Sequence, residues 1–197
     1  VSTEFEQGEL TASTGDFDFA IQGNGFFMIE MPDGTTGYTR NGNFLMAINP
    51  NGGTTLTTAD GYSVLDSNGK AITFDAATDT TRLSFDNYGN IFYKNAQGVI
   101  QPTGVRIGAA QFNNPSGLTK LGDSYFAESA ASGNARIEGQ DVALSVSVIK
   151  NGYLEASSVQ AVDEMVDMIV TQRAYEMNSK AITASDEMLQ QANNLRS

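Results

Sequence analysis

The 197-residue sequence contains no cysteine, no histidine and no tryptophan. Without cysteine there is no disulfide framework, no thiolate nucleophile and no thiolate metal ligand. Without histidine the commonest general base and the commonest transition-metal ligand are both missing. Cations are scarce: 11 Lys and Arg stand against 23 Asp and Glu, for a net charge of −12. A chain this acidic lacks the clustered cations that a nucleic acid or an anionic membrane surface requires, so neither is expected as a partner. No apolar run approaches the ~20 residues of a membrane span, and no membrane insertion is expected. The start, Val1-Ser-Thr-Glu-Phe5, has neither the basic residues nor the apolar core of a secretory signal peptide. It also lacks an initiator Met and reads as the interior of a longer protein, so further residues are expected upstream.

What is present divides into four stretches. Residues 1–15 are short and polar, with Gly8 suggesting a turn between extended pieces, and read as an extended connector. From Asp16 the pattern becomes period two: Phe17, Phe19 and Ile21 alternate with Asp18, Ala20 and Gln22, a strand signature. Asn-Gly and Asp-Gly pairs then place glycines at 25, 34, 42, 52, 61 and 69. Such pairs supply the positive φ of tight hairpin turns, and their recurrence between short apolar pieces predicts a β meander. The segments between them do not resemble one another, which excludes a solenoid repeat. Further strands are expected in Gly104–Phe112, Ser124–Ala127 and Val142–Ile149, whereas Ala76–Arg82 is Thr-rich and without a clear pattern. Residues 16–150 therefore read as an antiparallel β domain and 151–157 as a second connector.

Residues 158–197 contain no proline or glycine and read as one long helix, about 55–60 Å in length at 1.5 Å per residue. Ser157 and Gln160 have capping-box spacing at its start. The fold class expected is thus mainly β with one long C-terminal α-helix. On the helical wheel Met168, Tyr175, Ile182 and Leu189 recur every seventh position, flanked by Asn178, Ser185, Ala181 and Met188. Val162, Met165 and Ile169, near the helix start, are counted with them. The arc is wider than a two-stranded seam needs, which predicts packing against more than one neighbour. These eleven residues are the expected assembly interface, and Arg173, Glu176 and Lys180 on the other side are candidates for intersubunit salt bridges. A helix lying across its own β domain is the simpler alternative, but such a domain measures only ~35–40 Å across and the helix would overhang it.

No stretch assembles a nucleophile, a base and an orienting group, so no catalytic site is expected. Asp16 and Asp18 read as a solvated strand face. Gly23-Asn-Gly25 lacks the third small residue of a dinucleotide fingerprint and lies between strands. The stretches Asp66-Ser-Asn-Gly69 and Asp86-Asn-Tyr-Gly89 resemble calcium loops but have no Glu at the required distance, and read as turns. No cofactor and no metal is expected.

Three groups of motifs resemble the bacterial flagellar rod and hook axial proteins. The first is Asn151-Gly-Tyr-Leu-Glu-Ala-Ser-Ser-Val with Glu164-Met-Val-Asp-Met-Ile-Val-Thr-Gln-Arg-Ala-Tyr-Glu-Met-Asn-Ser-Lys-Ala-Ile and Ser185-Asp-Glu-Met-Leu. The second is Gly8-Glu-Leu-Thr, Phe19-Ala-Ile-Gln-Gly-Asn-Gly-Phe-Phe and Tyr38-Thr-Arg-Asn-Gly-Asn-Phe. The third is Phe112-Asn-Asn-Pro-Ser-Gly-Leu and Gly122-Asp-Ser-Tyr-Phe. Within the group the compact β domain, Arg173-Ala-Tyr-Glu-Met-Asn178 and the tail from Gln190 are most like the distal rod subunits. The resemblance implies a structural homopolymer, not an enzyme. Its subunits would form a helical tube in the basal body that carries torque from motor to hook and encloses an export channel. It further implies delivery by type III export to the periplasmic cell envelope. The partners implied are an N-terminal helix absent from this sequence, adjacent rod and hook proteins, and the L- and P-ring proteins. A hook or proximal rod subunit, or a β module binding the cell wall or a ring protein, are the alternatives.

Overall fold

A computed structural model describes residues 5, 7–49, 52–122, 124–141 and 143–156. The chain divides into two units at Ala156/Ser157, and the described residues belong to the first. Its centre is an antiparallel sheet in the order Thr119–Gly122, Tyr125–Ala127, Thr36–Thr39, Phe26–Glu30, Ser63–Val64, Thr54–Thr58, Phe44–Ile48. Ala109–Gln111 also pairs with Phe26–Glu30 and carries Arg136–Ile137, while Thr73–Phe74 pairs with Thr54–Thr58. Three small sheets accompany it: Ile100–Arg106 with Asn90–Lys94 and Leu83–Phe85, Val148–Asn151 with Phe19–Gln22, and Leu10–Ala12 with Tyr153–Glu155.

The expected fold class needs correction. Among the described residues the protein is mainly β and has no helix longer than the one-turn 3-10 segments Thr80–Arg82 and Pro115–Gly117. The described sequence alternates with period two and is broken every few residues by turn chemistry, so no apolar stripe of helical period is long enough to form one. The helix expected over 158–197 lies outside the described residues and is no part of the fold class they define.

Strand Phe26–Glu30 is central because both its faces are buried. Side chains alternate across a strand, so Phe27 enters one core cluster and Phe26 and Met28 the other. The first cluster joins Phe27, Phe44, Leu56 and Val64 of the main sheet to Phe19, Ile21 and Ile149 of one small sheet and Ile91 of another. It is what holds separate sheets in one body. Each fully buried Phe or Ile there contributes about 1.5–3 kcal/mol. The second cluster gathers Phe26, Met28, Tyr38, Phe112 and Phe126. Phe5, from the stretch expected to be only a connector, packs edge-on against Phe26 and Phe126 at centroid distances of 5.1 and 4.9 Å.

The regularly spaced glycines serve two purposes. Gly34, Gly52, Gly61 and Gly69 have φ between 76 and 93°, as tight turns demand. Gly25 and Gly42 do not; they are sites of close approach. A Cβ on Gly42 would lie 1.9 Å from the Phe19 carbonyl oxygen. Spacing alone does not separate these roles, because packing places the second kind. Asp66 and Asp86 are turn residues as expected: the Asp66 carboxylate accepts from the N–H of Asn68 and Lys70, that of Asp86 from Tyr88 and Asn90. Asp18 departs from expectation. It is buried, accepting from Ser13 Oγ and, at 2.9 Å, from Asn43 Nδ2. The strand expected over Val142–Ile149 begins only at Val148 and runs to Asn151; Ser147, just before it, donates its N–H to Glu138 at 2.8 Å.

Candidate functional site

The place where the chain enters and leaves the β unit is the most heavily constructed feature outside the core. Leu10–Ala12 and Tyr153–Glu155 pair antiparallel, Leu10 opposite Glu155 and Ala12 opposite Tyr153. Backbone bonds continue the ribbon at both ends, Ala156 N–H to Glu9 O and Ser13 N–H to Gly152 O, each 2.8 Å. The sequence pattern gave these residues to two separate connectors; a pairing over more than 140 positions has no local signature. Gly8 was expected to turn the chain. It instead lets the two strands touch, since a Cβ there would sit 2.0 Å from the Ala156 carbonyl oxygen.

One ion pair fastens this ribbon to the sheet. Arg40, just after strand Thr36–Thr39, donates from Nε to Glu155 Oε2 at 2.8 Å and from Nη2 to Glu155 Oε1 at 3.1 Å. The fork is bidentate, the strong geometry for this pair. The remaining guanidinium N–H groups donate to the carbonyls of Gly23, Gly25 and Ile21 at 2.9, 3.0 and 3.2 Å. Glu155 Oε1 also accepts from the Gly8 N–H at 2.8 Å and Gln7 Nε2 at 3.1 Å. Gln7 in turn donates to Ile21 O and accepts from Gly23 N–H, both at 2.9 Å. Only 16% of the Arg40 and 9% of the Glu155 side chain is exposed. Two charges this far from water persist only because nearly every lone pair and proton is engaged.

A second buried carboxylate adjoins this clamp. Glu138 accepts from Ser147 N–H, Ser147 Oγ and Gln111 Nε2 at 2.7–2.8 Å. Ser147 Oγ receives the Gly25 N–H at 3.1 Å, so the Gly25 residue links Glu138 on one side to Arg40 on the other. Two residues before Arg40, burial, helped by Glu128, pushes the Tyr38 hydroxyl up to about 12, so it stays neutral at ordinary pH. Such an arrangement anchors a chain segment. Among the described residues no group of three or more His, Cys, Asp or Glu side chains is placed to hold a metal ion.

The sequence-predicted interface residues, Val162, Met165, Met168, Ile169, Tyr175, Asn178, Ala181, Ile182, Ser185, Met188 and Leu189, lie outside the described residues. So do Arg173, Glu176 and Lys180. Sequence reading missed Gln7, Arg40, Glu138 and Glu155 as structural partners. Arg40 and Glu155 both stand inside stretches that carry the family resemblance, 115 positions apart. In a chain with so few cations, asking which acid each one meets was the available signal.

Comparison with known proteins gives the same direction from two ends of the chain. Residues 150–195 match the family described as flagellar basal body rod FlgEFG protein C-terminal, and residues 20–93 match the flagellar hook protein FlgE/F/G D1 domain. The flagellar basal-body rod protein FlgG of Bacillus subtilis is 43% identical over 187 residues, 94% of this chain and 68% of that protein. The protein of the same name from Borreliella burgdorferi is 39% identical over 194 residues, 98% of this chain and 69% of its own length. The flagellar hook protein FlgE of Borreliella burgdorferi is 37% identical over 130 residues, 60% of this chain and 29% of that protein.

Proposed function

Because the chain belongs to the FlgG-like flagellar basal-body rod family, we propose that it works as a shaft segment, polymerising into a helical tube that carries torque from motor to hook around an export channel. It is a structural subunit of the distal rod in the flagellar basal body. The observation that carries the reading is the match to rod relatives over nearly the whole chain, 94% and 98%, against 60% for the hook protein. That difference favours a rod subunit over a hook subunit.

In this reading the β unit is the outer layer of the tube and residues 158–197 carry assembly, with Met168, Tyr175, Ile182 and Leu189 among the subunit contacts. The paired strands Leu10–Ala12 and Tyr153–Glu155 and the Arg40–Glu155 clamp support it. A shaft must pass force from its terminal segments to its outer layer, and a bidentate, buried ion pair resists shear better than a free linker. Neighbouring partners are further copies, the family's N-terminal helix, adjacent rod and hook proteins, and the L- and P-ring proteins of the envelope. Delivery is through the flagellar type III apparatus to the periplasm, and no catalytic activity is assigned.

The test is genetic and structural together. Met168→Asp and Ile182→Asp in the full-length protein are each expected to abolish motility and leave basal bodies without a distal rod, while the β-sheet circular dichroism of the purified protein is retained. Normal swimming and complete rods in both variants would overturn the assignment of this segment.

A further inference from the structure

Besides the two-residue strands Thr73–Phe74 and Arg136–Ile137 on its branches, the main sheet runs out at two longer strands, and they are built differently. The Thr119–Gly122 edge carries Lys120, and its register shifts between Lys120 and Gly122. The exposed Ile100–Arg106 edge of the neighbouring three-stranded sheet carries Pro102, and its ladder is also irregular. Charge, proline and irregular register are the usual means by which a free edge avoids pairing with another chain. The Phe44–Ile48 edge has none of them. Its five residues pair with Thr54–Thr58 in unbroken register.

The direction of its backbone groups follows from the ladder. Leu56 N–H donates to Ile72 O at 3.0 Å and Thr58 N–H to Tyr62 O at 2.8 Å, both away from Phe44–Ile48. Phe44, Met46 and Ile48 therefore occupy the non-hydrogen-bonded positions, and their N–H and C=O groups point out of the sheet. Phe44 N–H is taken by Phe17 O at 3.3 Å. Among the described residues Met46 and Ile48 are left as an open row, with the Leu45 side chain 50% and the Ile48 side chain 86% exposed.

Charge identifies the occupant. From Asn41 to Ala59 there is no charged residue, in a chain with a net charge of −12. Two copies of so acidic a protein repel each other over most of their surfaces. They meet most easily where charge is absent, and this hairpin is such a place. We propose that the open edge of Phe44–Ile48 is a contact between the β units of neighbouring copies, the second copy laying extended backbone along it. The inference rests on the rod-subunit reading and adds a contact in the outer layer to it. The second copy presents a different segment, because pairing of two identical edges closes a two-fold dimer and ends growth, whereas a tube needs an unlike, repeating contact.

Benzoylphenylalanine substituted at Ile48 of the full-length protein, followed by irradiation of cells and purification of basal bodies, tests this. Presence of the protein in the rod checks the rod reading by itself. Within such rods, an adduct of twice the chain mass is expected, with its second peptide from another copy and outside residues 41–59. No adduct, an adduct to a different protein, or one joining two copies of 41–59 overturns the proposal. As an independent arm, Ile48→Asp should reduce assembled rods at least tenfold with the melting temperature of the unassembled protein unchanged. Rod numbers equal to wild type would equally overturn it.

Discussion

Glu155 shows how one side chain can decide the attachment of a whole segment. Its carboxylate receives hydrogen bonds from Gln7, the Gly8 backbone and Arg40, and so ties the outgoing strand, to which it belongs, to the segment before the incoming strand and to the sheet. Removing it strands the Arg40 guanidinium, which is only 16% exposed. Glu155→Ala is therefore expected to destabilise the β unit by about 3 kcal/mol, the usual cost of leaving a largely buried ion unpaired. Urea denaturation monitored by circular dichroism measures this. A loss below about 1 kcal/mol would place the pair in the class of exposed salt bridges, which are worth little. Arg40→Lys is no conservative rescue, since an ammonium cannot reproduce the bidentate fork to Glu155 together with the bonds to Gly23, Gly25 and Ile21.

At the scale of elements, the terminal ribbon is the informative piece. Leu10–Ala12 and Tyr153–Glu155 are three residues each, too short to persist alone. They are held by the clamp at one end and the Ser13–Gly152 bond at the other. Alternation of the ladder from Ser13–Gly152 puts the Thr11 N–H inward, towards Leu154, and the Ala12 N–H outward. Thr11→Pro should therefore open the ribbon, and Ala12→Pro should be tolerated. Amide exchange across Gly8–Ala12 and Tyr153–Ala156 reads the difference: protection is lost in the first variant and kept in the second. Equal loss in both would mean that the ribbon does not act as a paired unit.

Over the whole molecule, charge sets the conditions for polymerisation. Copies carrying −12 repel at a distance unless salt intervenes. The Debye length falls from ~30 Å at about 0.01 M ionic strength to ~8 Å at about 0.15 M. Assembly of the full-length protein, followed by light scattering, is therefore expected to be faster and more complete at the higher ionic strength. Slower assembly with added salt would show that attraction between opposite charges, and not contact between uncharged surfaces, dominates the interfaces.

The family, the β character of the described residues and the turns at Asp66 and Asp86 were all legible in the sequence, because each is written locally: a motif, a two-residue alternation, an Asp or Asn before Gly. The fold-class expectation of a long helix was local reasoning too, and the described residues correct it to a mainly β protein with one-turn helical segments only. What only the tertiary structure decided is everything that joins distant positions. It set Glu155 against Arg40, gave Gly8 and Gly42 to close backbone approach in place of turns, and packed the half-buried Phe5 against the core. It also left the Met46 and Ile48 backbone facing outward, which depends on the phase of the hydrogen-bond ladder. Such relations are fixed by packing between segments, and no window of neighbouring residues contains both partners.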